Sequence, residues 1–173
     1  MPIIVVDNNS NKRSVSLYDF TNTPNVRLIR LIRNLFNPFR NVGASISKAD
    51  IIFFLGDDVY PTASFADKVI EIFSKNEKIG VIDFSLYDTK TKKNLLWERR
   101  SKQPIDFCNA EFAVRRLVWE KVGHFPSFSP ARTLTIEFSI RLLSAGYRIL
   151  HLPSVVFHHN TTYTIGGSRF HRM

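Results

Sequence analysis

Two adjacent aspartates, Asp57 and Asp58, follow the apolar run IIFFL (51–55) and Gly56, and Pro61 closes the segment. A carboxylate is costly to desolvate, so a pair at the mouth of a core strand needs water, a helix N-terminus, a basic side chain or a divalent cation as partner. A hard cation such as Mg²⁺ or Mn²⁺ takes oxygen ligands, commonly one or two carboxylates, and shares its other positions with phosphates and water. Gly56 lets the backbone turn and a ligand come close. The same residues also suit a plain turn ahead of a helix, where acids are frequent. His158 and His159 end a second apolar run, VVF. Neutral imidazole ligates Mn²⁺ or Zn²⁺, and the two rings of an adjacent pair point to opposite sides of a strand. The alternative is two half-exposed histidines with no ligand. Asp7 closes a third run, PIIVV, and can accept hydrogen bonds from a base or ribose or cap its own loop. Asn109, Glu111, Arg115 and Arg116 bracket a fourth run and can line an acceptor cleft; the two arginines equally suit a solvated helix start.

The elements that must position these groups alternate. PIIVVD (2–7) reads as a buried parallel strand and NVRLIRL (25–31) as a weaker one. NVGASISKAD reads as a short helix running into the strand IIFFL. TASFADKVIEIFSK (62–75) puts Phe65, Val69, Ile72 and Phe73 on one helical face, with Thr62 or Ser64 as cap. IGVIDFSLYD (79–88) and NLLWERR are strand candidates. The segment 107–125 holds a strand and then a helix with Leu117, Val118 and Val122 inward. TIEFSIRLLSAGYRI is the clearest helix, with Ile136, Ile140, Leu142 and Leu143 inward and Gly146 as its stop. ILHLPSVVFHH reads as a final strand pair. Strands alternating with helices imply a layered α/β sheet with right-handed crossovers, and ligands of such sheets sit at the carboxyl ends of the strands. Asp7, the Asp57–Asp58 pair and the His158–His159 pair all fall at such ends.

Composition narrows the function classes. At 173 residues and 44% hydrophobic content the chain fits one domain with a proper core. A lone cysteine, Cys108, excludes an intramolecular disulfide. No apolar run approaches the roughly 20 residues that span a bilayer, and the N-terminus lacks a signal peptide's pattern, so the expected location is cytoplasmic. The net charge of +9 is uneven, with four arginines and no acid in residues 26–40 and no acid from Arg141 onward. Such surfaces attract phosphates, whether in a sugar nucleotide, nucleic acid or an anionic membrane. Nucleic acid is set aside because the 15 phenylalanines sit mainly in apolar runs rather than on a basic face. The inner face of the membrane stays open as a peripheral location.

The order of the pieces resembles the family 2 glycosyltransferases of the GT-A fold, the rhamnosyltransferase-like group among them. IIVVDNNS is similar to that family's second strand, RNVGASISKADIIFFLGDDVYP to its helix and metal-binding strand, AEFAVRRLVWEKVGHF to its acceptor-side segment, and IEFSIRLLSAGYRILHLPSVVFHH to its late helix, strand and metal-facing histidine. The fold so implied is GT-A-like (Rossmann-like): a mixed, mostly parallel sheet flanked by helices in a single domain. Residues 1–60 would form the nucleotide and metal half and 79–173 the acceptor half. The resemblance implies Asp7, Asn9, Arg40, Asn41 and Asp57 as nucleotide-binding, with Arg40 on phosphate. It implies Asp58 and His158 as ligands of Mn²⁺ or Mg²⁺, and Asn109 and Glu111 in the acceptor cleft. The donor would be a nucleotide-diphosphate sugar and the acceptor a glycan or lipid-linked saccharide, as in polysaccharide biosynthesis.

Two departures bear on activity. Family members begin one βα unit earlier, so the chain reads as N-terminally truncated, with an uncovered surface that favours self-association. Where the family carries an acidic pair ahead of its late helix, this chain has Leu134 and Thr135. Threonine cannot deprotonate an acceptor near neutral pH, and the nearest acid is Glu137, about 200° around the helix from Thr135. The expectation is a transferase impaired in catalysis, with Glu137 as candidate base. The alternative is a non-catalytic binding or partner domain of the same fold.

Overall fold

The computed structural model describes residues 1–10, 22–61, 64–95, 104–107, 111–127 and 131–160. In chain order the elements are β1 (Ile3–Asp7), β2 (Val26–Arg30), α1 (Phe39–Ile46), β3 (Ile51–Phe54), β4 (Val59–Pro61), α2 (Ala66–Lys75) and β5 (Ile79–Asp88). They continue with β6 (Lys93–Leu95), β7 (Phe112–Arg115), α3 (Arg116–Val122), α4 (Ala131–Ser144) and β8 (Arg148–His159). β1 and β2 form a small parallel sheet of their own. The larger sheet runs β3-β7-β5-β8-β4, with β6 added to β5. It is mixed: β5 and β8 are parallel, while β7 pairs antiparallel with both β3 and β5, and β4 with β8. The two longest ladders, β5–β8 and β1–β2, are the parallel ones. The α/β class expected from the alternating pattern is what forms.

Each face of the large sheet has its own core. On one side Ile52, Phe54, Val81, Phe112, Val114 and Ile149 meet Trp119 of α3 and Phe138 and Leu142 of α4. On the other, Ile82, Phe84, Leu86, Ala113 and Phe157 meet Phe65, Val69 and Phe73 at α2. Arg115 locks α2 to the sheet: its guanidinium donates to the carbonyls of Phe73, Asn76 and Ile79 around the end of the helix. Phe73 and Asn76 also accept from the backbone amides of Asn76 and Ile79, so the guanidinium adds a second donor at the helix end. Burial lowers the guanidinium's pKa.

α1 joins the two sheets. A Cβ at Gly43 would lie 3.2 Å from Val6 of β1, so the helix sits directly on the small sheet. The next residue, Ala44, is buried in the core of the large sheet. Asn41 fixes the other end of this joint, its amide donating to the Phe125 carbonyl (2.8 Å) and accepting from the Phe125 amide (3.1 Å).

Several details differ from the pattern-based expectations. α4 is rotated: Leu134, Phe138 and Leu142 are buried, while Ile136, Ile140 (61% exposed) and Leu143 face outward. The helix is apolar on two sides, and contact with the aromatic core decides between them. Leu117 is 76% exposed, because Val118 and Trp119 take the inward positions of α3. The final segment is one strand, β8, carrying an irregularity near Pro153 rather than breaking in two. β1 is half exposed rather than buried, and among the described residues it pairs with β2 alone. At α2, Ser64 is not the cap; Phe65 holds that position without a side-chain hydrogen bond, and Thr62 lies outside the described residues. No helix among the described residues is long and apolar enough to cross a membrane.

Candidate functional site

The turn between β3 and β4 brings Asp58 to the end of β8. β4 pairs antiparallel with β8, setting Val59 opposite His159 and Tyr60 opposite His158. Asp58 is thereby held twice, its carbonyl accepting from the Asn160 amide (2.8 Å) and its carboxylate lying 3.1 Å from His159 Nε2. Thr89 steadies the strand end by donating its amide and hydroxyl to the His159 carbonyl. The histidine beside Asp58 is therefore His159. The resemblance pointed to His158, which instead packs between Tyr60 and Tyr87. The irregularity in β8 sets the faces at its end: Ile149 faces one core, but Val155 and Phe157, at the same parity, face the other, and His159 follows Phe157's side.

Glu111, at the start of β7, completes the constellation. A Cβ built on Gly56 would lie 2.9 Å from Asp58 Oδ1 and 3.2 Å from Glu111 Oε1, so both carboxylates flank this glycine. Glu111 is only 4% exposed. Burial raises its pKa above the usual carboxylate range, and Asp58's charge pushes the same way, while His159 and Arg40 oppose the rise. Arg40, at the start of α1, is itself half-buried, and burial lowers its pKa against the opposing pull of Glu111. Two acids, an imidazole and a guanidinium thus lie together at one end of the sheet. Nδ1 of His159 is buried without a hydrogen-bond partner among the described residues.

The other candidates have different work. Asp7 is buried; it accepts from the Ser10 amide (2.8 Å) and pairs with Arg30 (3.4 Å), closing its own loop. Asn8, next to it, clamps the 34–36 loop. Asn9 has a positive φ of 64° and is exposed. Asn41 spends both ends of its amide on Phe125. Asp57 is exposed on the turn. Glu137 is bound through both oxygens by Arg141 (2.5 and 2.6 Å), whose guanidinium also holds the carbonyls of Val122, Gly123 and His124. This removes Glu137 as a free base and gives it a structural role. Arg116 likewise binds the Ala49 carbonyl. Asn109 lies outside the described residues.

Among the described residues no group of three or more histidine, cysteine or acidic side chains is arranged to hold a metal alone. Asp58 and His159 offer an oxygen and a nitrogen at one point, and Glu111 a second carboxylate nearby. That set suits a Mn²⁺ or Mg²⁺ ion that completes its shell with substrate phosphates and water.

No curated protein is matched by the sequence. A structure of GalNAc-T7 with UDP, GalNAc and Mn²⁺ is similar with a TM-score of 0.73 at 16% identity, covering 96% of this chain and 38% of that one. A structure of S. aureus TarS 1-349 in complex with UDP-GlcNAc has a TM-score of 0.74 at 14% identity, over 95% of this chain and 50% of that one. The chain therefore spans half or less of these structures, and at such identity the likeness shows the fold: GT-A. The glycosyl transferase family 2 model matches residues 2–133. By that match over most of its length, the chain belongs to glycosyl transferase family 2.

Proposed function

We propose that the chain is the nucleotide-sugar-binding domain of a glycosyltransferase, moving a sugar from a nucleotide-diphosphate donor to a hydroxyl of a glycan or lipid-linked saccharide. The observation that carries this is the Asp58–His159 contact at 3.1 Å, placed beside Glu111 at the carboxyl edge of the sheet. Asp58 and His159 would hold the divalent ion, Mn²⁺ or Mg²⁺, which when bound neutralises charge on the leaving diphosphate. Arg40 supplies a fixed positive charge at the same end of the sheet, worth most where water is excluded. Among the similar folds, one structure holds UDP with Mn²⁺ and another UDP-GlcNAc, which supports a uridine diphosphate donor. Asp7 and Asn9, at the end of β1, are proposed for the nucleoside side of the ligand. The +9 charge suits an anionic surface, and the sheet of β1 and β2, two-stranded among the described residues, suits self-association.

The test is calorimetry with UDP, with and without Mn²⁺. Metal-dependent binding that is lost in Asp58→Ala supports the reading, and equal binding in excess chelator overturns it.

A second reading, a non-catalytic partner domain of the same fold, is favoured by one observation. Glu137 is the sole acid of α4 and is committed to Arg141, while Thr135 is buried. Loss of a positioned general base costs about 10²- to 10⁴-fold in rate. Donor binding without measurable sugar transfer or UDP release, unimproved by Thr135→Asp, would decide for this second reading.

A further inference from the structure

Between β2 and α1 the chain runs LIRNLFNP (31–38), and two of its apolar side chains lie almost bare. Ile32 is 96% exposed and Phe36 70%. Exposed apolar side chains scattered singly are ordinary. Two bulky ones at most about 14 Å apart along the chain form a patch.

The loop is built to hold them there. The Leu31 amide donates to the Asp7 carbonyl (2.9 Å). Asn8 pins the turn: its amide nitrogen donates to Asn34 Oδ1 (2.8 Å) and to the Phe36 carbonyl (3.1 Å), and its oxygen accepts from the Leu35 amide (2.8 Å). Phe36 closes the loop by donating its own amide to Asn34 Oδ1 (2.7 Å). In this clamp Phe36 has a φ of 55°, the left-handed region that a bulky side chain rarely enters. Such backbone persists only where its surroundings enforce it, and here it leaves an aromatic ring in solvent rather than in a core. No gain in packing accounts for that.

The charge around the loop is of one sign. Residues 26–40 hold four arginines and no acid. Arg30 pairs with Asp7, and Arg40 feels Glu111 at the site. Arg27 and Arg33 are exposed and make no ion pair among the described residues. An aliphatic and an aromatic side chain beside uncommitted arginines fit the boundary of an anionic bilayer, where apolar groups enter the acyl region and arginines meet headgroup phosphates. A nucleic acid would use the ring and the arginines but gain nothing from Ile32.

We propose that the 31–38 loop is a membrane-docking element: Ile32 and Phe36 enter the interface of an anionic bilayer, and Arg27 and Arg33 bind its lipid phosphates. This gives the anionic surface proposed above a place on the fold. It also sets the bilayer near the site, since Arg40 follows Phe36 by four residues. Docking to the bilayer does not rest on the donor site.

The test is co-sedimentation of the 173-residue chain with vesicles of phosphatidylcholine, alone or mixed with an equal part of phosphatidylglycerol. The chain is expected to pellet with the mixed vesicles and not with phosphatidylcholine alone. Ile32→Ser and Phe36→Gly are each expected to weaken binding about tenfold, the scale of one buried apolar side chain. Arg33→Glu should weaken it about fivefold or more. Phe36→Gly also relieves the left-handed backbone, so it should melt at or above the wild-type temperature, which separates lost binding from lost folding. No pelleting of the folded chain, or equal pelleting with both vesicles, overturns the proposal. So does binding that salt abolishes while Ile32→Ser and Phe36→Gly leave it unchanged, since that surface would be merely electrostatic. Tighter binding to single-stranded RNA than to the mixed vesicles, or dimerisation lost in Phe36→Gly, overturns it in favour of nucleic acid or a second copy. UDP–Mn²⁺ calorimetry in parallel keeps the two readings apart: absent UDP binding with vesicle binding intact sinks the donor site alone, and the converse sinks the membrane element alone.

Discussion

At the scale of single residues, the adjacent histidines divide their labour by face. His159 touches Asp58, and His158 sits between tyrosines. His159→Ala is therefore expected to weaken Mn²⁺-dependent UDP binding by about tenfold or more, the scale of losing a group that holds or orients a metal. His158→Ala should change it little, and calorimetry on the two variants checks the contrast. Glu111 gives a pH signature. Burial raises its pKa in the folded protein, so the unfolded chain ionises it first. Its contribution is harmless below the ordinary glutamate pKa of about 4.3 and turns increasingly unfavourable as pH rises through the raised folded value. Glu111→Gln is thus expected to match the wild type in stability near pH 4 and exceed it near neutrality, as read by denaturant melts across pH. An equal difference at every pH would contradict this.

At the scale of elements, α4 shows how a doubly apolar helix is settled by its neighbours. Phe138 stacks among Trp119, Phe107 and Phe125. Removing its ring leaves a cavity, and Phe138→Ala is expected to cost about 3–5 kcal/mol. Ile140 points outward, and Ile140→Lys should fall within about 0.5 kcal/mol of wild type, as surface substitutions do. Thermal and urea unfolding of the pair test the rotation directly; the opposite order would restore the face suggested by the sequence pattern. Other element features were readable beforehand. The apolar β-branched runs gave the strands β1, β3 and β5, and Gly146, with a positive φ of 81°, ends α4 as expected of a C-terminal glycine. β4 was not foreseen, because VYP is too short for a period and forms only through pairing with β8.

At the scale of the whole molecule, α1 is the joint between the small sheet and the large one. Its attachment to the loop after α3 depends on Asn41, whose amide both gives and takes a hydrogen bond at Phe125. Asn41→Ala removes both bonds, each worth about 0.5–1.5 kcal/mol net. It is expected to speed hydrogen exchange in β1, β2 and α1 while leaving β5 and β8 protected, since local openings follow weakly attached units. Uniform acceleration across both sheets would show that the joint is not a separate unit.

Residue types and order determined the α/β class, the strand ends at Asp7, Asp58 and His159, and the family likeness, because short apolar runs and the acids that terminate them are local signals. Only the tertiary structure decided which histidine meets Asp58, which face of α4 is buried, and that Glu137 belongs to Arg141. Each of these turns on a long-range registration: a strand irregularity, an aromatic core, or an arginine reaching backbone carbonyls from another segment. Two rings adjacent in sequence, or two apolar stripes on one helix, are equivalent until the rest of the chain packs against one of them.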